Sequence, residues 1–142
     1  GIRVDVFGKG WDELECAHPE NLVIHPQTTS EACLHHIKHS KVSVNVMPWF
    51  KNGAHDRIFN TMLNGSVCVT DSSEYLDEVL TSEDVAFYSL SEIEKLPGIV
   101  KELLDDPERM QKMADNGYKI ALEEHSWAKR AEILHKYFEG IE

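Results

Sequence analysis

Residues 42–71 read VSVNVMPWFKNGAHDRIFNTMLNGSVCVTD, and this stretch decides the fold class. Two valine-rich runs, 42–47 and 67–70, are nearly continuous in apolar character, which is typical of parallel strands covered on both faces. The segment between them holds one helix, which we expect to begin at Asp56 or a neighbour and to reach Leu63. Asn64 and Gly65 then stop it, with Gly65 suited to the position just after a helix. The stretch therefore predicts a strand–helix–strand unit.

Further strands and helices are predicted on both sides of this unit. Apolar runs at 2–7, 22–25 and 85–88 are strand-like, and the helix-sized segments between most runs indicate right-handed crossovers in a parallel sheet. After residue 88 the pattern is helical, with Asp106 and Pro107 starting one helix and Ser126 capping the last. The predicted fold class is α/β: a Rossmann-like, doubly wound parallel sheet with a helical C-terminal tail.

The last predicted helix carries an apolar stripe along one side, which we interpret as facing the core. A dedicated partner surface is the alternative. The stripe consists of Trp127, Ala131, Leu134, Tyr137 and Phe138.

Length and charge restrict the class of protein. A chain of 142 residues predicts one domain over 1–142. The chain opens at Gly1 directly before an apolar run, so we interpret it as a fragment of a longer two-domain protein. Fourteen basic and 25 acidic residues give a formal charge of −11, which argues against nucleic acid as a partner. No apolar run approaches the roughly 18 residues of a membrane span, so no transmembrane segment is predicted.

Cysteine and histidine patterns predict neither disulfides nor metal. The three cysteines are an odd number without a C-x-x-C pair, which favours a reducing, cytoplasmic location. Cys68 lies inside an apolar run and is interpreted as a small buried hydrophobe. His35 and His39 lie four residues apart on a predicted helix, but no third ligand follows, so a solvated face is expected and no metal.

The loop after the first predicted strand holds one candidate site. Ligands of open α/β sheets bind at the carboxyl ends of the strands. Gly8, Lys9 and Gly10 stand there, where glycines let backbone N–H groups approach a phosphate and the lysine adds charge. The third glycine of a dinucleotide fingerprint and the G-K-[ST] of a P-loop are both missing. A tight turn at the strand exit is the alternative.

The loop after the third predicted strand concentrates aromatic, cationic and acidic side chains. Its candidate binding residues are Lys51, Gly53, His55, Asp56 and Arg57. A helix N-terminus beside an arginine suits a diphosphate, because the helix end supplies N–H groups and the guanidinium a forked donor. The alternative is a surface turn in which Asp56 caps the helix and Arg57 is solvated.

Asn60 and Asp71 complete the candidate site. Asn60 lies three residues after Arg57 on the same helix face, either as a ligand contact or as a half-buried amide. Asp71 ends the fourth predicted strand, where its side chain can contact a ligand. The alternative is that this segment caps the next helix through Ser72 and Ser73.

Three elements, in order along the chain, resemble one enzyme family. They are RIFN at 57–60 with Gly65 and VCVTD at 67–71, then LLDDPE at 103–108, then EHSWAKRA at 124–131. Over essentially the whole chain they resemble the C-terminal half of GT-B glycosyltransferases, in the group 1 set and its CgeB-like branch. The resemblance implies two Rossmann-like domains facing each other across a cleft, of which this one binds a nucleotide-sugar.

The resemblance also implies roles for particular residues. Residues 53–57 should face the diphosphate and the sugar of the donor. Independently of the resemblance, an arginine, a helix N-terminus and a glycine-rich turn can stabilise the leaving diphosphate without metal, so no metal ion or other cofactor is expected. Asn52 and Asn60 stand where the family has the two glutamates of its Glu-x7-Glu motif, so the site carries less negative charge. Retention or inversion at the sugar carbon stays open. The final helix should cross back to the other domain.

The leading hypothesis is the donor-binding domain of a cytoplasmic, hexosyltransferase-like glycosyltransferase. A missing N-terminal domain should bind the glycan or other acceptor, so the isolated piece should not catalyse transfer. One alternative, motivated by Asn52 and Asn60, is a non-catalytic nucleotide-sugar-binding or interaction module. Another is a GT-B nucleotide-sugar epimerase that uses His55, Asp56 and Asp71.

Overall fold

The computed structural model of the chain describes residues 1–140. They form two compact units, Gly1–His36 and Ile37–Glu142, the second described as far as Gly140. Among these residues no helix combines the length and apolar character needed to cross a membrane.

The first unit contains a two-stranded parallel sheet. Strand β1 (Val4–Phe7) pairs with β2 (Leu22–His25), with Phe7 opposite His25. The Phe7 ring stacks on the His25 ring at 4.5 Å between centroids and on the His36 ring at 4.3 Å. Helix α1 (Ser30–Lys38) begins in this unit, where the hydroxyl oxygen of Thr29 accepts a hydrogen bond from the Ala32 N–H.

The second unit contains a three-stranded sheet in the order β3-β4-β5. Strands β3 (Val42–Asn45), β4 (Val67–Asp71) and β5 (Ala86–Tyr88) are all parallel. Helix α2 (Asp56–Leu63) connects β3 to β4, and α3 (Glu74–Val79) connects β4 to β5. The prediction of a parallel α/β fold is confirmed, and the strand–helix–strand unit lies where the sequence places it.

Helix α2 begins and ends where it was predicted, at Asp56 and Leu63. Gly65 has φ of 75°, the left-handed conformation expected just after a helix, and its N–H donates to the Met62 carbonyl. At the other end the N-cap is His55, whose side chain accepts from the Arg57 N–H. Strand β3 is shorter than predicted, because the Met47 N–H donates to the Asp71 carboxylate instead of extending the ladder.

Every residue of β4 is buried, because helices cover both faces of the strand. Residues of alternate parity along a strand point to opposite faces, so Cys68 belongs to one cluster and Val67 and Val69 to the other. The first cluster comprises Met47, Ile58, Met62, Cys68, Leu76, Leu80, Val85 and Ala121. The second comprises Val67, Val69, Ala86, Tyr88, Leu103, Met113 and Ala114. Burial raises the pKa of the Cys68 thiol to about 12, as suits a buried hydrophobe.

Within residues 1–140, a 3-10 helix (Leu90–Lys95) and then three α-helices follow β5. The α-helices are α4 (Leu96–Asp105), α5 (Pro107–Glu124) and α6 (Trp127–Glu139). The predicted caps are confirmed: the Asp106 side chain accepts from the Arg109 N–H, and Ser126 accepts from the Lys129 N–H.

His125 forms the corner between α5 and α6. Its ring stacks on Phe59 of α2 at 4.5 Å, and its Nδ1 lies 2.9 Å from the Arg130 guanidinium. The same guanidinium donates to the Tyr75 hydroxyl and lies over the Tyr75 ring. The EHSWAKRA element of the sequence, residues 124–131, therefore joins α6 to α2 and α3.

The core-facing interpretation of the α6 stripe is wrong. No residue of α6 is buried, and Trp127 is 88% exposed. Helix α5 contributes Met113, Ala114 and Ala121 to the two clusters, and no residue of α6 belongs to either cluster or packs against it. An amphipathic pattern shows that a helix has an apolar side but not what covers it.

Candidate functional site

The carboxyl ends of β3, β4 and β5 bring together a group of buried polar residues. Asn45 ends β3, Thr70 and Asp71 end β4, and Tyr88 ends β5. Asn45 and Thr70 are register partners, directly opposite each other across the two strands. Asn45 and Asp71 are each 2% exposed, so their polar atoms must find partners inside the protein.

Arg57 is held at this edge by the Asn45 side chain. The Arg57 Nη1 donates to the Asn45 Oδ1 at 3.0 Å. Among residues 1–140 this is the one hydrogen bond of the Arg57 side chain, and no carboxylate forms an ion pair with it. The residue itself is exposed. The guanidinium is therefore oriented by a neutral amide and keeps its positive charge available.

His55 occupies the N-terminus of α2. Its Nδ1 accepts from the Arg57 N–H at 3.1 Å and lies 2.7 Å from the Asp56 Oδ1. The first contact needs a lone pair on Nδ1 and the second a proton, so only one is a hydrogen bond at any time. The Ile58 N–H donates to the His55 carbonyl. The first helical N–H groups are thus largely engaged, which leaves the Arg57 side chain as the main donor.

The loop before α2 is anchored to the start of α3. Ser73 donates to the Gly53 carbonyl at 2.6 Å, and the Glu74 N–H donates to the Lys51 carbonyl at 3.0 Å. The surrounding acceptors favour the Asn52 amide orientation in which its nitrogen donates to the Glu74 carboxylate at 3.2 Å. Trp49 is 92% exposed on this anchored loop. Lys51 and Gly53 therefore have a fixed backbone, while the Lys51 side chain extends into solvent.

Asn60 faces the start of its own helix. It is half-buried, and its Nδ2 lies 3.5 Å from the Asp56 Oδ2, one turn earlier. The structure therefore places Asn60, Asp56 and His55 on one side of the beginning of α2. A ligand contact for Asn60 stays a prediction.

Asp71 fixes the exit of β3. Its Oδ1 accepts from the Met47 N–H at 2.8 Å, across the end of the sheet. The capping role in this segment falls to Ser73, whose hydroxyl accepts from the Leu76 N–H. Burial, followed by the negative charge of Asp71, raises the pKa of the Tyr88 hydroxyl. A ligand role for Asp71 stays a prediction.

Gly8, Lys9 and Gly10 lie in the first unit and form a tight exit from β1. Gly8 and Gly10 have φ of 124° and 87°, and the Gly8 N–H donates to the His25 carbonyl. The exposed side chain of Lys9 is followed within four residues by the exposed carboxylates of Asp12 and Glu13. A phosphate role for this loop stays a prediction.

Sequence reasoning missed three residues at the sheet edge: Asn45, Thr70 and Tyr88. The available signal was a polar side chain at the carboxyl end of an apolar strand, which is present at Asn45 and Thr70. Among residues 1–140 the structure brings no three His, Cys, Asp or Glu side chains together as a metal site.

The chain is similar to proteins of known class. The family described as Glycosyl transferase-like matches residues 1–136. A solved structure of sucrose-phosphate synthase from Thermosynechococcus elongatus matches 86% of the chain, with a TM-score of 0.72 and 14% sequence identity. The chain spans 30% of the length of that structure. At this identity the likeness shows the fold, a Rossmann-like half of the GT-B type. Among curated proteins none matches the sequence significantly.

Proposed function

The chain belongs to the glycosyl transferase-like family, and on that premise we propose that it is the donor-binding domain of a glycosyltransferase. The donor is a nucleotide-sugar, whose diphosphate lies against Arg57 and Lys51. The acceptor, a glycan or another hydroxyl compound, binds to a second domain. The CgeB-like branch and a cytoplasmic location are parts of the same proposal, supported by the order of the three sequence elements and by the cysteine pattern.

One observation carries the proposal. The Arg57 guanidinium stands at the carboxyl ends of β3 and β4, oriented by Asn45 and without a carboxylate partner among residues 1–140. Parallel α/β folds bind ligands at this edge, and a guanidinium suits the forked oxygens of a phosphate. The chain as a whole is acidic, so a cation left without an acidic partner favours a local anion site.

The proposed chemistry breaks the bond between the sugar carbon and the diphosphate oxygen. The leaving diphosphate gains negative charge as that bond lengthens. The acceptor hydroxyl oxygen forms the new bond to the carbon and releases its proton to the leaving diphosphate or to water. Preorganised cations that face the developing charge lower the barrier. In this proposal Arg57 supplies the fixed cation and Lys51 a mobile one, while the Nε2 edge of His55 faces the sugar or a phosphate oxygen.

A non-catalytic binding module is the second candidate, and the two asparagines favour it. Asn52 and Asn60 each direct the amide nitrogen at a carboxylate of this chain, Glu74 and Asp56. Neither supplies a carboxylate of its own to a ribose or to the sugar. Turnover of a nucleotide-sugar by the complete protein, measured as nucleoside diphosphate release, separates this candidate from the enzyme.

Nucleotide binding by the chain tests the proposal. Thermal unfolding is followed with millimolar UDP, GDP, ADP, dTDP or CMP, each with and without EDTA. A nucleotide at 100 times its Kd adds about 2.7 kcal/mol to the free energy of unfolding, so one diphosphate should raise Tm whether or not EDTA is present. Loss of the shift with EDTA would contradict the metal-independent form of the proposal.

Arginine substitutions locate the binding site. Arg57→Ala should weaken the nucleoside diphosphate about tenfold or more, because a charge-assisted contact is lost. Arg109→Ala, which removes the same charge from an exposed position on α5, should leave the affinity unchanged. Equal affinities of the Arg57→Ala variant and the unsubstituted chain would show that the diphosphate binds elsewhere.

A further inference from the structure

The Asn45 side chain accepts from Arg57 and donates to Thr70, and no sequence pattern assigned Asn45 or Thr70 to the site. We infer that they are positioning residues, which aim Arg57 at the diphosphate and keep its charge free of any carboxylate. The inference rests on the proposed function, because the diphosphate is the anion that the oriented guanidinium would meet.

The direction of the hydrogen bonds carries the inference. Arg57 donates to the Asn45 Oδ1 at 3.0 Å, and the Asn45 Nδ2 donates to the Thr70 Oγ1 at 3.0 Å. The Thr70 hydroxyl in turn donates to the Asp71 carbonyl at 2.9 Å. Each donor points the same way along the chain of bonds, so each bond polarises and strengthens the next.

This order also fixes which way the Asn45 amide faces. An arginine only donates, so it needs the amide oxygen. The Thr70 hydroxyl spends its one proton on the Asp71 carbonyl, so it can only accept from the amide nitrogen. Both neighbours therefore demand the same orientation, and a flipped amide would lose both bonds.

The backbone around Asn45 is held from two sides. The Tyr88 hydroxyl donates to the Asn45 carbonyl at 2.8 Å, and two residues later the Met47 N–H donates to the Asp71 carboxylate. Asn45, Thr70 and Asp71 are all buried, so water does not compete for these bonds. The guanidinium is thus held by a fixed chain of hydrogen bonds through the neutral Asn45 amide and the neutral Thr70 hydroxyl, which we call the relay.

Because the relay is neutral, it orients the Arg57 guanidinium without neutralising its charge. A carboxylate at position 45 would orient Arg57 equally well but would neutralise it, and the anion would then compete with an internal ion pair. An amide orients the guanidinium without that cost. The acidic neighbour Asp56 is directed to His55 Nδ1 instead, at 2.7 Å.

Asn45→Asp separates orientation from charge. It keeps the side-chain shape and the acceptor for Arg57, while the Thr70 hydroxyl must now donate to position 45 instead of to the Asp71 carbonyl. We expect it to weaken UDP, or whichever nucleoside diphosphate the chain binds, at least tenfold. It should also flatten the dependence of affinity on NaCl concentration, since one cation is neutralised. Asn116→Asp, with the same added charge on α5, should change neither quantity. A purely structural role for Asn45 would move Tm without changing the salt dependence.

Thr70→Val removes the acceptor that orients the amide and adds no charge. We expect a three- to tenfold loss of affinity with the salt dependence retained. Thr61→Val is the matched control, because Thr61 is equally buried but its hydroxyl bonds to no group in the described chain. If both Thr70→Val and Asn45→Asp bind the nucleotide as tightly as the unsubstituted chain, the inference is overturned and the proposed function stays intact.

Nitrogen-15 NMR of the ligand-free chain tests the positioning even where no nucleotide binds. The held guanidinium should show separate Nη resonances from slow rotation, and Asn45→Ala should merge them. The Nη resonances can be separate although neither a nucleotide nor pyrophosphate binds. That result would overturn the proposed function and the role toward a diphosphate, and would support the positioning of Arg57. Merged resonances in the unsubstituted chain would overturn the positioning itself.

Discussion

The Ser73 hydroxyl donates a hydrogen bond of 2.6 Å to the carbonyl oxygen of Gly53, twenty residues earlier in the chain. The Ser73 hydroxyl oxygen itself accepts from the Leu76 N–H at 3.2 Å and so caps α3. One buried side chain therefore starts a helix and holds the loop that carries Lys51 and Gly53. The cap and the candidate site depend on the same residue.

Ser73→Ala should lower the free energy of unfolding by about 1 kcal/mol or more, because an N-cap is lost. It should also release the loop, which amide hydrogen exchange at Phe50 and Glu74 reports. Ser126→Ala removes the cap of α6, which holds no loop, and should cost similar stability while leaving exchange at those two amides unchanged. Unchanged exchange in Ser73→Ala would show that the bond to Gly53 does not hold the loop.

Thr61→Val should raise the free energy of unfolding by about 1 kcal/mol. The Thr61 hydroxyl is fully buried on α2 and has no hydrogen-bond partner in the described chain, so it is desolvated without compensation. Valine has nearly the same shape and a similar helix propensity. Chemical denaturation measures the change, and a lower stability of Thr61→Val would mean that the hydroxyl is satisfied.

The two glycines of α4 and α5 should respond to alanine with opposite signs. A Cβ on Gly117 would lie 2.8 Å from the Asp84 carbonyl oxygen, so Gly117→Ala forces the helix and loop apart and should cost about 1–3 kcal/mol. A Cβ on Gly98 meets no atom within 4 Å, so Gly98→Ala should gain up to about 1 kcal/mol from helix propensity. Stabilisation by Gly117→Ala would show that the loop before β5 yields freely.

The stability of the protein should fall more steeply between pH 7 and pH 5 than that of His125→Gln. Burial, followed by the charge of Arg130, lowers the pKa of His125 in the folded state. The unfolded chain then binds a proton that the folded chain does not, so stability is present above the ordinary histidine pKa and is lost as the pH falls through it. Tm against pH for both proteins measures this, and parallel curves would contradict it.

Much of the fold was predictable because its signals are local. The continuous apolar run of β4 indicated a strand covered on both faces, and Gly65 marked the end of α2. Asp106 and Ser126 marked helix starts, since a short polar side chain next to its own helix decides a cap.

The site was predicted as a region, and its internal contacts were not. The loop over 48–57, with Arg57, was identified by its composition. The sequence allowed Asp56 or any neighbour as the cap of α2, and the structure has His55. The partner of Arg57 is Asn45, twelve residues earlier; the place of Asn45 at the end of an apolar strand indicates the sheet edge but not the contact with Arg57. Helix α6 carries a clear apolar stripe, but the spacing of its residues does not show which surface covers that stripe.

The order of strands and helices, the ends of most of them and the acidic balance of the chain were determined by the sequence alone. These depend on backbone propensity, side-chain period and charge, which act over a few residues. The pairing of Asn45 with Thr70, the bond from Ser73 to Gly53 and the exposure of α6 were decided by tertiary structure. They depend on which strands become neighbours and in what register, and that register sets single bonds between residues about twenty to twenty-five positions apart.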